Sequence, residues 1–170
     1  MVLRTVGYEG TSIDEFIEFL KRNKVSRIAD VRKNPLSRKK GFSKNRLAEA
    51  LKIQGIEYNH FPGLGVPSAW RKLAKEEKIT RAKMFRDYVK KVLPVQTQDL
   101  EQLEKLMKTS GLTLLCYEAD ASDCHRRYVV EELQRRAKKP FTVKNLEFPL
   151  ADKKALGAAK YFRHQREAGL

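Results

Sequence analysis

The stretch LTLLCY, residues 112–117, decides the fold. It is apolar on both of its alternating faces, which is how the central strand of a parallel sheet reads, because such a strand is covered by helices on both sides. An acidic loop over residues 118–123 leads on to CHRRYVVEELQRRA, residues 124–137, a helical segment with Asp123 or Ser122 placed to cap it. Phe141 to Leu146 reads as a last strand.

Toward the N-terminus, apolar segments alternate between strand length and helix length. Gln98 to Lys108 places Leu100, Leu103, Leu106 and Met107 on one side, with Gly111 just past its end. Arg81 to Leu93 does the same with Met84, Phe85, Tyr88, Val89 and Val92, and Pro94 stops it. Between Leu64 and Lys78 the periodicity is weak, and Gly65, Pro67 and Trp70 indicate a long loop with some helix. Ile56 to Phe61, Arg27 to Arg32 and Leu3 to Tyr8 are further strands. Ser43 to Gln54 is a helix ended by Gly55, and Ser12-x-x-Glu15 forms a capping box ahead of Ile13, Phe16, Ile17 and Leu20. Strand alternating with helix predicts an α/β domain over residues 1–150, with a mostly parallel sheet of about five strands and helices on both faces. Residues 151–170 form a basic helix or tail.

The 170 residues make one domain of ordinary size. The count of 36 Lys and Arg against 21 Asp and Glu leaves a net charge of +15. Heat adaptation adds Glu along with Lys, so it accounts for charge density better than for this imbalance. The excess predicts a phosphate-bearing anion as partner, nucleic acid being the commonest. Two cysteines and no signal-peptide core predict a cytoplasmic protein, and no segment approaches a membrane span, so no membrane partner is expected.

Ligands of parallel α/β sheets bind beyond the carboxyl ends of the strands. Strand by strand, that edge receives Tyr8 and Glu9 between Gly7 and Gly10, then Asp30 and Arg32, then His60, then Cys116 and Glu118, with Cys124, His125 and Arg126 opening the next helix. Packing alone rarely asks for so many ionisable groups in one place. A thiol at a helix start has its thiolate stabilised, and an arginine there can hold phosphate in bidentate fashion. Cys124 is thus a candidate nucleophile. His125 is its neighbour in sequence, but adjacent helical residues do not face each other, so His60 is a second candidate for proton donor. Glu9 and Asp30 are candidates for proton transfer, or for structural ion pairs with Arg32 or Arg126. Tyr8, Arg32, Arg38, His60, Glu118 and Arg126 are candidates for substrate binding. Cys116, Cys124, His125 and His60 could instead bind a transition metal, but the spacing C-x7-C-H matches no common structural zinc pattern, so no metal is expected, and the residues name no cofactor.

Residues 32–46 carry seven basic side chains and no acidic one: Arg32, Lys33, Arg38, Lys39, Lys40, Lys44 and Arg46. Most of them fall in a loop marked by Pro35 and Gly41, beside the proposed ligand edge, and read as an electropositive wall. Phe42 and Trp70 can stack on bases or anchor their loops to the core. A second basic cluster runs from Arg126 through Arg127, Arg135 and Arg136 to Lys138 and Lys139, and a third includes Lys153, Lys154, Lys160, Arg163 and Arg166.

Four segments in order, TVGYEGTSIDEFIEFL, ADVRKNPLSRKKGFSK, IEYNHFPGLG and LLCYEADASDCHRR, resemble the family DUF488 over roughly residues 4–135. The resemblance implies a motif set that includes Gly7, Glu9, Gly10, Asp30, Arg32, Pro35, Arg38, Cys116, Glu118, Cys124, His125 and Arg126, and supplies no substrate. Asp30-Val31-Arg32 after a strand also looks like a signature of the rhodanese fold, but no C-x5-R loop begins at either cysteine. These residues point to three functions. The first is an enzyme acting on nucleic acid or nucleotide. The second is a non-catalytic RNA- or DNA-binding module, and the third a thiol enzyme on small anionic substrates.

Overall fold

The computed structural model describes residues 1–109 and 111–148. Five strands form one sheet: β1 (Val2–Gly7), β2 (Arg27–Asp30), β3 (Glu57–His60), β4 (Leu112–Cys116) and β5 (Thr142–Leu146). All pair in parallel, in the order β3-β2-β4-β1-β5. β4 lies in the middle and every one of its residues is buried, in keeping with its two-faced apolar pattern.

The helices are α1 (Ile13–Arg22), α2 (Lys44–Ile53), α3 (Ser68–Lys75), α4 (Arg81–Lys91), α5 (Thr97–Met107) and α6 (Arg126–Arg136). They divide between the two faces of the sheet. Phe16 and Leu20 of α1 and Leu47 and Leu51 of α2 pack with Val6, Ile28 and Leu115. Tyr88 of α4, Leu100 and Leu103 of α5, and Val129 and Leu133 of α6 pack with Leu3, Ala29 and Leu114 on the other. The period-2 alternation of each strand feeds both cores. The segment over residues 64–78 is more ordered than its sequence indicates. A 3-10 turn at Pro62–Leu64 leads into α3, a short helix that buries no residue completely.

At α1 the capping box forms as expected, with Ser12 Oγ accepting from the Glu15 N–H and the Glu15 carboxylate accepting from the Ser12 N–H. Residues 151–170 lie outside the described part of the chain. Among the described residues no helix is long and apolar enough to cross a membrane.

The strand order fixes where a site can lie. β1 leads through α1 to β2 on one face, while β4 leads through α6 to β5 on the other. β1 and β4 are neighbours and their connections leave in opposite directions, so their carboxyl ends are the position where ligands of such sheets find a crevice. The two strand ends there are Gly7 and Cys116, which are register partners.

Candidate functional site at the β1–β4 crevice

Beyond the sheet, the β1 and β4 backbones stay together. Tyr8 N–H donates to the Cys116 carbonyl and Glu9 N–H to the Tyr117 carbonyl. The approach is close enough that a Cβ on Gly7 would lie 1.7 Å from the Glu118 carbonyl oxygen. Gly10 takes φ 83° and turns the chain toward α1. These glycines shape backbone, which accounts for the motif without a phosphate cradle.

All the residues expected at the strand ends are at that edge, but the pleat sends them to two faces. Asp30, Arg32, Tyr8 and Tyr58 gather on the α1–α2 side. Asp30 is completely buried and takes a bidentate approach from Arg32, with Nη2 to Oδ2 at 2.5 Å and Nε to Oδ1 at 2.8 Å. Tyr58 donates to the same Oδ2 at 2.6 Å. The remaining Arg32 nitrogen donates to the Tyr8 hydroxyl and to the Phe42 carbonyl. Burial disfavours the charged guanidinium, but the hydrogen bonds and charge of Asp30 outweigh it and hold the Arg32 pKa above its ordinary value. Burial likewise raises the Tyr58 hydroxyl, and Asp30 raises it further. Arg32 therefore spends its donors inside the fold and is not free to clamp a phosphate. Asp30 is likewise fully engaged.

His60, the second candidate to serve Cys124, instead hydrogen-bonds the Arg32 carbonyl through Nε2 at 2.9 Å. Phe42 is buried and stacks on Tyr8 with ring centroids 4.2 Å apart, so it anchors its loop and is not a platform for bases. Trp70 packs against the larger core.

On the opposite face Cys116, Cys124 and His125 meet. One ligand atom from each lies within 4.8 Å of the other two, and all three residues are buried. Cys116 Sγ is 3.6 Å from His125 Nδ1 and 3.2 Å from a Glu118 carboxylate oxygen. His125 Nε2 is 2.8 Å from the Val31 carbonyl. The helix begins later than its sequence indicates: His125 is the residue before the first turn, and neither Ser122 nor Asp123 caps it. Cys124 Sγ accepts the Arg126 N–H. Because Cys124 and His125 sit in the turn ahead of α6, they are free of helical spacing and reach the same cluster.

The cluster separates its members electrostatically. Burial opposes ionisation of Cys124, but hydrogen bonds from Cys116 and His125 and the charges of His125 and Arg126 overcome it, so its thiol pKa is lowered. Burial pushes Cys116 the other way, helped by Cys124. Burial alone would lower His125, yet Cys124 raises it. Glu118 is pushed up to about 7 by burial and by Cys124. Ionisation is thus favoured at Cys124 over Cys116.

Arg126 is 1% exposed. Its guanidinium donates to Thr5 Oγ1 and to the carbonyls of Glu118 and Ala119, so it ties down the loop over the cluster and offers no fork to a ligand. Glu9 accepts the Ala119 N–H and holds the same loop from the β1 side. Tyr58, Thr5 and the Val31 carbonyl complete these networks, and the strand-end reading of the sequence misses all three. Tyr58 carries a usable signal, since it follows Ile56 at strand spacing and pairs beside Ile28. The Val31 carbonyl carries none, because a backbone group has no residue identity.

Arg38 alone among the candidate arginines is exposed, on the basic loop. That loop covers the edge through Phe42. Half-buried Lys39 lies close enough to Glu15 and Glu9 for their charges to oppose the lowering of its pKa by burial.

Comparison with curated proteins and with solved structures returns no match. A family model does match, over residues 12–133, which takes in α1 through most of α6 and both halves of the Cys–His cluster. The chain belongs to the family DUF488, a domain of unknown function.

Proposed function

We propose that the protein is an enzyme directed at nucleic acid, which it holds by phosphate contacts from the basic loop next to the β1–β4 crevice. One observation carries the reading. Arg38, Lys40 and Lys44 are exposed and make no ion pair among the described residues, whereas Arg127, Arg135 and Arg136 of α6 pair with Glu131, Glu132 and Glu104. Unpaired cations at a ligand edge are what a polyanion finds without displacing a carboxylate. Glu9 and Glu118 border the crevice, and Cys124 with His125 supplies the reactive pair beneath it.

The test is a fluorescence-anisotropy titration with single- and double-stranded RNA and DNA over a salt series. The expected result is tight binding with a steep salt slope and preference for one form. Absence of binding near physiological salt would overturn it. A turnover assay on the preferred form, repeated with Cys124→Ser, then separates an enzyme from a binding module, which would not need the thiol.

A second reading, a thiol enzyme on small anionic substrates, draws on the complete burial of Cys124. A small molecule needs less opening of the loop over residues 118–123 than a polymer does to reach such a sulfur. Alkylation of Cys124 by iodoacetamide, with no labelling by a bulky maleimide, is the outcome this reading expects.

A further inference from the structure

We infer that Cys116, Cys124 and His125 bind one thiophilic divalent metal ion, zinc by ligand type, through two thiolates and the Nδ1 nitrogen. The inference concerns the cluster itself, holds whether or not nucleic acid is the ligand of the basic loop, and makes Cys124 and His125 metal ligands in place of the free reactive pair proposed above.

Distance is the first argument. Zinc binds cysteine sulfur at about 2.3 Å and histidine nitrogen at about 2.0 Å, so two such ligands on a tetrahedron stand about 3.6 Å apart. Cys116 Sγ and His125 Nδ1 are 3.6 Å apart. Cys124 contributes a third atom within 4.8 Å of both, against the roughly 3.8 Å of a sulfur–sulfur edge.

Histidine orientation is the second. A carbonyl oxygen only accepts, so the 2.8 Å contact with Val31 places a proton on Nε2. Nδ1 is then the nitrogen that faces the sulfurs, and a metal bound there takes the place of any proton on it. Ligating histidines characteristically donate their other N–H to a carbonyl or carboxylate in this manner. A backbone N–H, that of Arg126, also faces Cys124 Sγ at 3.5 Å, as suits a thiolate.

Rigidity is the third. Cys116 ends the central strand and is fixed by its pairing with Gly7. Cys124 and His125 are held by the turn bond of Cys124 to the Ala121 carbonyl and by the first bonds of α6 to their own carbonyls. Two soft thiolates and an imidazole select zinc over calcium or magnesium. Two cysteines and one histidine leave a fourth position. The Glu118 carboxylate, 3.2 Å from Cys116 Sγ, borders it. The sequence offers these residues without a finger-type spacing, because one ligand comes from a strand end and two from a turn, and the structure leaves out His60, which bonds the Arg32 carbonyl.

The experiment uses the full chain. Metal content is measured after expression with zinc, and the stripped protein is titrated with cobalt(II). The expected result is one metal per chain, thiolate-to-cobalt charge-transfer absorption that saturates at one equivalent, and its loss when zinc is added. Cys116→Ser and Cys124→Ser should each weaken cobalt binding by about a hundredfold or more. X-ray absorption of the zinc-loaded wild-type protein does not depend on how the variants fold, and should show two sulfurs at about 2.3 Å. A metal shell of nitrogen and oxygen alone would overturn the inference. So would a correctly folded protein that takes up no zinc and gives no charge-transfer band.

Discussion

Gly7 and Glu118 are in backbone contact across the β1–β4 crevice, so close that a Cβ on Gly7 would lie 1.7 Å from the Glu118 oxygen. The clash is with main chain, which cannot rotate away. Gly7→Ala must therefore pry β1 from the strand end that carries Cys116. The expected loss is about 3 kcal/mol or more of stability, at the upper end of overpacking costs, measured by urea unfolding. A variant as stable as wild type would mean that the strand ends are free to part.

The Asp30–Arg32 pair is buried on both sides, and removing one partner strands the other charge. Arg32→Ala is expected to destabilise the fold by about 3–5 kcal/mol. Asp30→Ala should do the same and also leave the Tyr58 hydroxyl without its acceptor. The double variant should lose less than the sum of the singles, because neither charge is then left unpaired. Thermal melts of the three proteins check this. Ordinary melting of Arg32→Ala with weakened anion binding would instead return that arginine to the ligand site.

Arg126→Ala should also act through the fold, since it strips the Glu118 and Ala119 carbonyls of their buried donors. Each stranded group costs about 1–3 kcal/mol. The loop over residues 118–123 should loosen first. The expected observation is faster amide exchange there and faster alkylation of Cys124 than in wild type. Unchanged exchange would show that Glu9 alone holds the loop.

Strand and helix periods are readable along the sequence because each element buries a well-defined face. LTLLCY announces the central strand, and Ser12-x-x-Glu15 announces the α1 cap. The strand-end residues are also readable as a set. Their division between two faces is not, because it depends on strand order: Asp30 and Cys116 are on neighbouring strands yet point to opposite sides of the sheet. The pairing of Cys124 with His125 is obscured when Cys124 is taken as helical. α6 starts at Arg126, and the two residues before it obey turn geometry. Arg126 looks like a ligand arginine in sequence because nothing local shows that two carbonyls will claim it, and for Arg32 the sequence offers Asp30 as an ion-pair partner without deciding between that pair and a ligand.

The α1 cap offers a pH test with a defined sign. The Ser12 backbone and hydroxyl hydrogen-bond the Glu15 carboxylate and hold its pKa below the ordinary glutamate value of 4.5. A carboxylate lowered on folding stabilises the protein above its unfolded pKa and loses that contribution as pH falls through the folded one. Glu15→Gln should therefore melt below wild type at neutral pH and approach it in acid below pH 4.5. Ser12→Ala should cost about 1 kcal/mol at neutral pH. A gap for Glu15→Gln that does not narrow in acid would mean that the carboxylate charge is not what the cap uses.

The two basic clusters provide a matched comparison for the proposed nucleic-acid contact. Arg38, Lys40 and Lys44 stand without carboxylates, while Arg127 pairs with Glu131 and Arg135 with Glu132. Net charge alone would make the removal of a cation from either cluster equally harmful. Local recognition makes them unequal, since a paired arginine must first leave its carboxylate. Arg38→Ala, Lys40→Ala and Lys44→Ala should each leave melting unchanged, weaken binding, and reduce the slope of log affinity against log salt by about 1. Arg127→Ala and Arg135→Ala should leave that slope near wild type. Equal effects from both clusters, in the same anisotropy titration, would assign the attraction to the overall field and remove the basic loop as a defined contact surface.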